Sequence, residues 1–149
     1  MDWSALKEKV RAVHIFAITP FKESEGLPLN LEGMRRNVAY WASLEGKKVI
    51  AVCCGTGEYR HLSEEEIRQV AEVSAKEIGG RCPLLVGIGG ETERAVRMAK
   101  ATKAAGADVV LVMPEESVQE RGEEALFRHH VAIAEAAEIG VMPFRAGKI

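Results

Sequence analysis

Net charge, long apolar runs and cysteine are all scarce in this 149-residue sequence, and each shortage excludes a class of protein. The formal net charge is −2 with both signs mixed along the chain, so nothing predicts nucleic acid or an anionic membrane as a partner. No apolar run approaches the roughly 18 residues that a membrane span needs. The first residues alternate charged and apolar side chains, unlike a signal peptide.

The three cysteines, Cys53, Cys54 and Cys82, lack the spacing of metal ligands. Cys53 and Cys54 are adjacent on a predicted strand and would point to opposite faces, which makes them a poor disulfide pair. His129 and His130 have no third ligand at metal spacing, so packing or the helix surface is their expected place. We therefore expect a cytoplasmic protein without a metal or another cofactor.

Five short apolar runs alternate with helical patterns. The composition, 47% hydrophobic and 28% charged, is that of a globular protein, and the length predicts one domain, residues 1–149. A short helix at Trp3–Arg11 precedes the alternation. The predicted strands are Val13–Ile18, Val49–Cys53, Leu84–Ile88, Val109–Met113 and Gly140–Phe144.

Between the strands, apolar residues recur every three or four positions and mark the buried faces of four helices. The four stripes are Leu31, Met34, Val38 and Trp41; Ile67, Val70, Ala71, Ser74 and Ile78; Ala95, Met98, Ala99 and Thr102; and Leu126, His130, Ile133 and Ala137. Alternating strands and helices predict an α/β fold with a parallel sheet. Periodicity leaves open a doubly wound sheet or part of a barrel, since a closed barrel needs eight strands.

The loop after the second strand is the best candidate for a ligand site. Gly55-Thr56-Gly57 stands between that strand and the capping box Ser63-x-x-Glu66, which starts the next helix. Backbone amides released by glycines, together with the Thr56 hydroxyl, can bind a carboxylate or a phosphate. A glycine-rich turn without a ligand is the alternative.

Four motifs carry a resemblance to a known family. In chain order they are Ala17-Ile-Thr-Pro-Phe21, Cys54-Gly-Thr-Gly-Glu58 with Leu62-Ser-Glu-Glu-Glu66, Gly87-Ile-Gly-Gly-Glu-Thr92, and Gly106-Ala-Asp-Val-Val-Leu-Val-Met-Pro114. From about residue 13 to 144 the chain resembles the dihydrodipicolinate synthase / N-acetylneuraminate lyase family of class I aldolases and dehydratases. The resemblance implies the N-terminal, five-strand part of a TIM (β/α)8 barrel.

The resemblance also implies a chemistry. Members of this family condense a strand-6 lysine with pyruvate or another 2-oxo acid, and the resulting imine acts as an electron sink. The carboxylate of the 2-oxo acid would lie on Gly55, Thr56 and Gly57. Thr19, Glu58, Gly89 and Phe144 would border the site.

Several residues depart from the family pattern. Gly55 replaces the first of two threonines, which is more similar to the sugar-acid dehydratase branch. The segment Pro114-Glu-Glu-Ser117 lacks the family's aromatic residues, and Phe144 stands in place of a strand-5 tyrosine and has no transferable proton.

The imine-forming lysine has no counterpart either, because the sequence ends at Ile149, before a sixth strand, and Lys148 comes too early. We therefore expect no catalytic residue and an inactive, truncated lyase. The alternative is a non-catalytic fragment or binding module that keeps only the carboxylate loop. The first and fifth strands would lack partners, which predicts self-association through their edges.

Overall fold

The computed structural model describes residues 2–144. Its helices are Trp3–Lys9 (α1), Leu31–Ser43 (α2), Glu64–Ile78 (α3), Thr92–Ala104 (α4), Glu116–Gln119 (α5) and Glu123–Ala137 (α6). Its strands are Val13–Phe16 (β1), Lys48–Val52 (β2), Leu84–Gly90 (β3), Val109–Pro114 (β4) and Gly140–Pro143 (β5). A single turn of 3-10 helix, Tyr59–His61, lies between β2 and α3. None of the helices in this range is long and apolar enough to cross a membrane.

Helix α3 begins and ends where its sequence signals indicate. The Ser63 hydroxyl accepts from the Glu66 amide while the Glu66 carboxylate accepts from the Ser63 amide, which completes the predicted capping box. The helix ends at Gly79, whose φ of 56° is left-handed and therefore suits glycine. All five residues of the predicted stripe on α3 are buried, as are all four of the stripe on α4.

The five strands form one sheet in the order β1-β2-β3-β4-β5, and every neighbouring pair is parallel. A doubly wound sheet would reverse its strand order at a switch point, and this sheet does not. The order is that of five consecutive units of a (β/α)8 barrel, so the fold prediction is confirmed. Within the described residues β1 and β5 are the edge strands.

The sheet has two differently covered faces. The outer face, which includes Ile50, Val86 and Val110, packs against the helices in the main core. The inner face carries Val49, Ala51, Leu85, Val109 and Leu111, and it is covered at its amino end by Leu6 and Val10, on and next to α1. Cys53 belongs to the outer core and Cys54 to the inner one, as expected for neighbours with opposite directions.

Some boundaries differ from the sequence prediction. Strand β1 ends at Phe16 rather than Ile18, and α1 ends at Lys9 rather than Arg11. Strand β3 extends to Gly90, two residues further than predicted, because its last residues still pair with β4. The patterns also missed α5 and the 3-10 turn, which are too short to show a helical period. Lys148 falls outside the described residues.

Candidate functional site

The predicted site residues gather at the carboxyl edge of the sheet. Thr19 follows β1, the loop 54–58 follows β2, Gly89 lies near the end of β3, and Phe144 follows β5. Because all five strands are parallel, these positions share one edge. Thr19 Oγ1 donates to the Gly57 carbonyl at 2.7 Å, which ties the β1 exit to the β2 loop.

The loop after β2 is a compact turn held by its own backbone. Gly57 N–H donates to Cys54 O at 3.0 Å, Glu58 N–H donates to Gly55 O at 3.2 Å, and Tyr59 N–H donates to Cys54 O at 3.3 Å. The amides of Gly55 and Thr56 donate to no described residue, and neither does the Thr56 hydroxyl. Both residues are exposed, so three neighbouring donors face solvent at the strand end.

Gly57 has a different part in the turn. Its amide is engaged with Cys54 and its carbonyl with Thr19. A Cβ atom at this position would lie 2.9 Å from Cys53 N and 3.1 Å from Ala17 O. Gly57 therefore allows the loop to pack tightly between β1 and β2, while Gly55 and Thr56 carry the available donors.

Two glycines of β3 make room for this loop on the inner face. A Cβ atom on Gly87 would lie 2.0 Å from Cys53 O and 2.9 Å from Cys54 Cα. A Cβ atom on Gly89 would lie 2.5 Å from Met113 O of the neighbouring strand β4 and 2.9 Å from Cε2 of the Tyr59 ring. The backbone of the loop therefore crosses the inner face at Gly87, and the absence of a side chain at Gly89 leaves room for both the β4 backbone and the Tyr59 ring.

Glu58 has the left-handed φ of 61°, and its carboxylate lies 3.0 Å from Nδ1 of His61. Glu58 is thus the partner of His61, three residues away in the sequence. Both side chains are more than half exposed, so this pair lies on the outside of the turn.

The segment after β4, which departs from the family pattern, forms the short helix α5, and hydrogen bonds connect this helix to the end of β3. Glu91 accepts from Ser117 Oγ at 2.5 Å and from Arg121 at 2.8 Å. The hydrogen bond from Ser117, with the Arg121 charge adding to it, lowers the pKa of the Glu91 carboxyl. These polar contacts lie in the segment where this chain lacks the aromatic residues of the family pattern.

His129 is the buried histidine of α6, whereas His130 is only partly covered. Its Nδ1 lies 2.9 Å from the Thr92 hydroxyl, and its Nε2 is enclosed without a partner among the described residues. Burial, and secondarily the neighbouring His130, lower the pKa of His129, while Glu91 acts in the opposite direction. No three His, Cys, Asp or Glu side chains in residues 2–144 lie together as metal ligands.

The thiols beside the loop are poor nucleophiles. Burial raises the pKa of Cys54 to about 12 and raises that of Cys53 further above its ordinary value. Since the thiolate is the reactive form, neither cysteine is activated at neutral pH.

No buried lysine lies at the carboxyl edge within the described residues. Lys22, in the loop after β1, is exposed. Lys47 and Lys48 lie at the opposite edge, where β2 starts, and Lys100 and Lys103 belong to α4. A lysine needs a desolvated pocket to become nucleophilic at neutral pH, and none of these has one.

A cavity of about 620 Å³ lies at the amino edge, beside Lys48, Arg81, Cys82 and Asp108. Three of its polar side chains are already engaged. Lys48 donates to carbonyls at the end of α2, Arg81 donates to those at the end of α3, and Asp108 accepts from the Leu84 amide at 2.8 Å. This cluster caps helix ends, and it lies on the side away from the predicted site.

Five consecutive parallel strands with alternating helices, in this order, define part of a βα-barrel protein. More specifically, the chain belongs to the dihydrodipicolinate synthetase family, whose sequence pattern matches residues 9–145.

Two curated relatives illustrate the range of the family. The chain is 39% identical over 119 residues to a 4-hydroxy-tetrahydrodipicolinate synthase of Methanospirillum hungatei, a match that covers 79% of this chain and 40% of that protein. It is 35% identical over 132 residues to a probable 5-dehydro-4-deoxyglucarate dehydratase of Streptomyces coelicolor, covering 87% of this chain and 40% of the relative.

Solved structures share the fold. Dihydrodipicolinate synthase from Oceanobacillus iheyensis superposes with a TM-score of 0.82 at 24% identity, over 95% of this chain and 46% of that one. The Aquifex aeolicus enzyme gives 0.77 at 30% identity, over 89% and 44%. The chain therefore spans less than half the length of the relatives it matches.

Proposed function

We propose that this chain carries the 2-oxo acid carboxylate site of a lyase of the dihydrodipicolinate synthetase family. The observation that supports the proposal most is the set of unengaged donors on Gly55 and Thr56, two amides and a hydroxyl at one strand end. An anion of carboxylate size suits such a set, because backbone amides converging at a turn favour negative charge. Pyruvate or another 2-oxo acid is the proposed ligand class.

Within the family we favour the dehydratase branch. Gly55 provides an amide but no hydroxyl where the aldolase branch has a threonine, and several of the relatives found are probable 5-dehydro-4-deoxyglucarate dehydratases. Their substrate is a 2-oxo sugar acid, which carries the same carboxylate as pyruvate. A cytoplasmic location, which we also propose, suits the free thiols of Cys53, Cys54 and Cys82.

We further propose that these 149 residues are not catalytic by themselves. The family's reaction depends on an imine-forming amine, and the described lysines offer no buried one at this edge. Phe144 likewise offers no proton. A module that binds a carboxylate without turning it over remains the second candidate, and it is favoured by the same free donors and the same exposed lysines.

Titration of the ¹⁵N-labelled chain with pyruvate, followed by amide chemical shifts, tests the carboxylate site. The largest shifts are expected at Gly55 and Thr56, with affinity in the millimolar range. Thr56→Val removes only the hydroxyl and should weaken binding about three- to tenfold, the worth of one hydrogen bond. Thr56→Ser restores the hydroxyl and is the matched control.

The location of the shifts decides the outcome. Shifts confined to other residues, or equal affinities for the Val and Ser variants, would contradict the site.

A further inference from the structure

The cavity at the amino edge of the sheet carries more positive charge than helix capping uses. Its volume is about 620 Å³, which lies within the ~300–1,000 Å³ of small-molecule pockets. The basic side chains that line it come from three separate parts of the chain: Lys9 on α1, Lys47 and Lys48 at the start of β2, and Arg81 before β3. The chain as a whole has a net charge of −2, so this concentration of cations is a local feature.

Acidic side chains do not neutralise this cavity. Glu8 lines it, but its carboxylate lies 3.1 Å from the guanidinium of Arg11, which is outside the lining. Asp108 is the other carboxylate among the described lining residues, and it accepts a hydrogen bond from the Leu84 amide at 2.8 Å. The cations therefore outnumber the carboxylates, and one of the two carboxylates is already paired with an arginine.

Two of the cations are fixed in place and two are free. Lys48 and Arg81 donate to carbonyls at the ends of α2 and α3, which holds both side chains in one position. An ammonium and a guanidinium each have more N–H groups than these carbonyls occupy, so both can also donate to an anion. Lys9 and Lys47 have no partner within residues 2–144. Cations that are already held in place lose less conformational entropy when a ligand binds.

The Cys82 thiol lines the same cavity and shows that the fixed cations face one space. Burial raises the pKa of this thiol, while the positive charges of Lys48 and Arg81 act in the opposite direction. Cys82 is half-buried, whereas Cys53 and Cys54 are 0% and 1% exposed, so Cys82 is the accessible thiol of the three. It therefore provides a chemical reporter inside the cavity.

We propose that this cavity is a binding site for a small anion with two or more negative charges, of the phosphate or polycarboxylate kind. Lys48 and Arg81 provide the fixed charges, and Lys9 and Lys47 add free ammonium groups from α1 and from the start of β2. An anion with a single charge gains less, because the Coulomb energy grows with the charge of the ligand. The site lies at the edge opposite to Gly55 and Thr56, so the inference does not depend on the proposed carboxylate site.

Protection of Cys82 from a neutral disulfide reagent tests this site in the 149-residue chain. 4,4′-Dithiodipyridine forms a mixed disulfide with an accessible thiol, and Cys82→Ala identifies the residue that reacts. At constant ionic strength, pyrophosphate or citrate should slow the reaction, and acetate should not.

Lys9→Gln and Lys47→Gln should each raise the protecting concentration about three- to tenfold, because each variant removes one charged contact at a partly exposed site. These two lysines are chosen because Lys48 and Arg81 also bind helix ends, and their loss would destabilise the fold. Lys22→Gln removes the same charge at the opposite edge and is the matched control, with no change expected.

The order of the two anions identifies the ligand. Protection at a lower concentration of pyrophosphate than of citrate indicates a phosphate compound, and the reverse order indicates a polycarboxylate. Failure of both anions to protect Cys82 would overturn the proposal. Equal protection by acetate, or an equal effect of Lys22→Gln, would also overturn it, because the response would then be one of general charge. Unchanged protection in both Lys9→Gln and Lys47→Gln would show that the anion does not bind among these cations.

Discussion

Replacing Gly87 by alanine tests whether the β2 loop crosses the inner face of the sheet. The added Cβ atom would lie 2.0 Å from Cys53 O and 2.7 Å from Cys53 C, where ordinary contacts begin at 3.4 Å. Both atoms are backbone, so more than 1 Å of main-chain movement is needed rather than a change of rotamer. Overpacking of this kind costs about 1 to 3 kcal/mol, and this contact belongs at the upper end.

Alanine also reduces the conformational entropy of the unfolded chain, which stabilises the folded variant by about 0.4 to 1 kcal/mol. The expected net loss is about 2 kcal/mol, or a fall in Tm of about 4 to 8 °C for a chain of this size. Thermal unfolding followed by circular dichroism, at one fixed protein concentration, measures it. Gly55→Ala is the matched control, because nothing lies within 4 Å of its Cβ position, and its Tm should change little.

A Gly87→Ala variant as stable as the Gly55→Ala control would refute the crossing. The Gly55–Thr56 donors would then not be held against β3, and the site would lose its geometric basis.

Three further predictions concern pH, imine chemistry and association. Since burial lowers the pKa of folded His129 below its unfolded value of about 6.5, the unfolded state binds more protons near pH 6. The free energy of unfolding from urea titrations should therefore fall between pH 7 and pH 5, and this fall should be smaller in His129→Gln. The same pH dependence in the variant and the unmodified chain would contradict the assignment to His129. Borohydride with pyruvate should leave no stoichiometric adduct by mass spectrometry, whereas a single modified lysine would reveal an unrecognised nucleophile. The chain should self-associate through β1, where Val13 is 70% exposed, and Val13→Lys should shift sedimentation toward monomer. An unchanged sedimentation profile for this variant would show that the β1 edge plays no part.

The elements of this fold were predictable because their patterns are local and strong. The α3 and α4 stripes have a clear helical period, and every residue predicted on them is buried. Ser63 and Glu66 predicted the start of α3 to the residue, since a capping box depends only on near neighbours. On α6 the stripe was less accurate, because the buried residue is His129 and not His130.

The strand order and the loop crossing were beyond local patterns. Periodicity allowed either a doubly wound sheet or part of a barrel, and the choice depends on which strands pair across 24 to 35 residues of chain. The position of the Tyr59 ring depends on the absence of a side chain at Gly89, on another strand. Glycines at alternate positions of β3, next to a loop with a bulky side chain after β2, are the sequence signal that would indicate such a contact.

The contacts that shape the donor loop come from consecutive strands and from the loops that follow them. Thr19 at the β1 exit holds the Gly57 carbonyl, the loop itself follows β2, and Gly87 and Gly89 on β3 leave room for it. The Gly89 Cβ position also lies 2.5 Å from Met113 O of β4, and all of these groups belong to the part of the barrel that this chain contains. The imine chemistry of the family needs in addition a desolvated amine, which the described lysines do not provide. We therefore propose that carboxylate binding and imine chemistry are separable in this fold, because the loop donors and the amine would come from different strands.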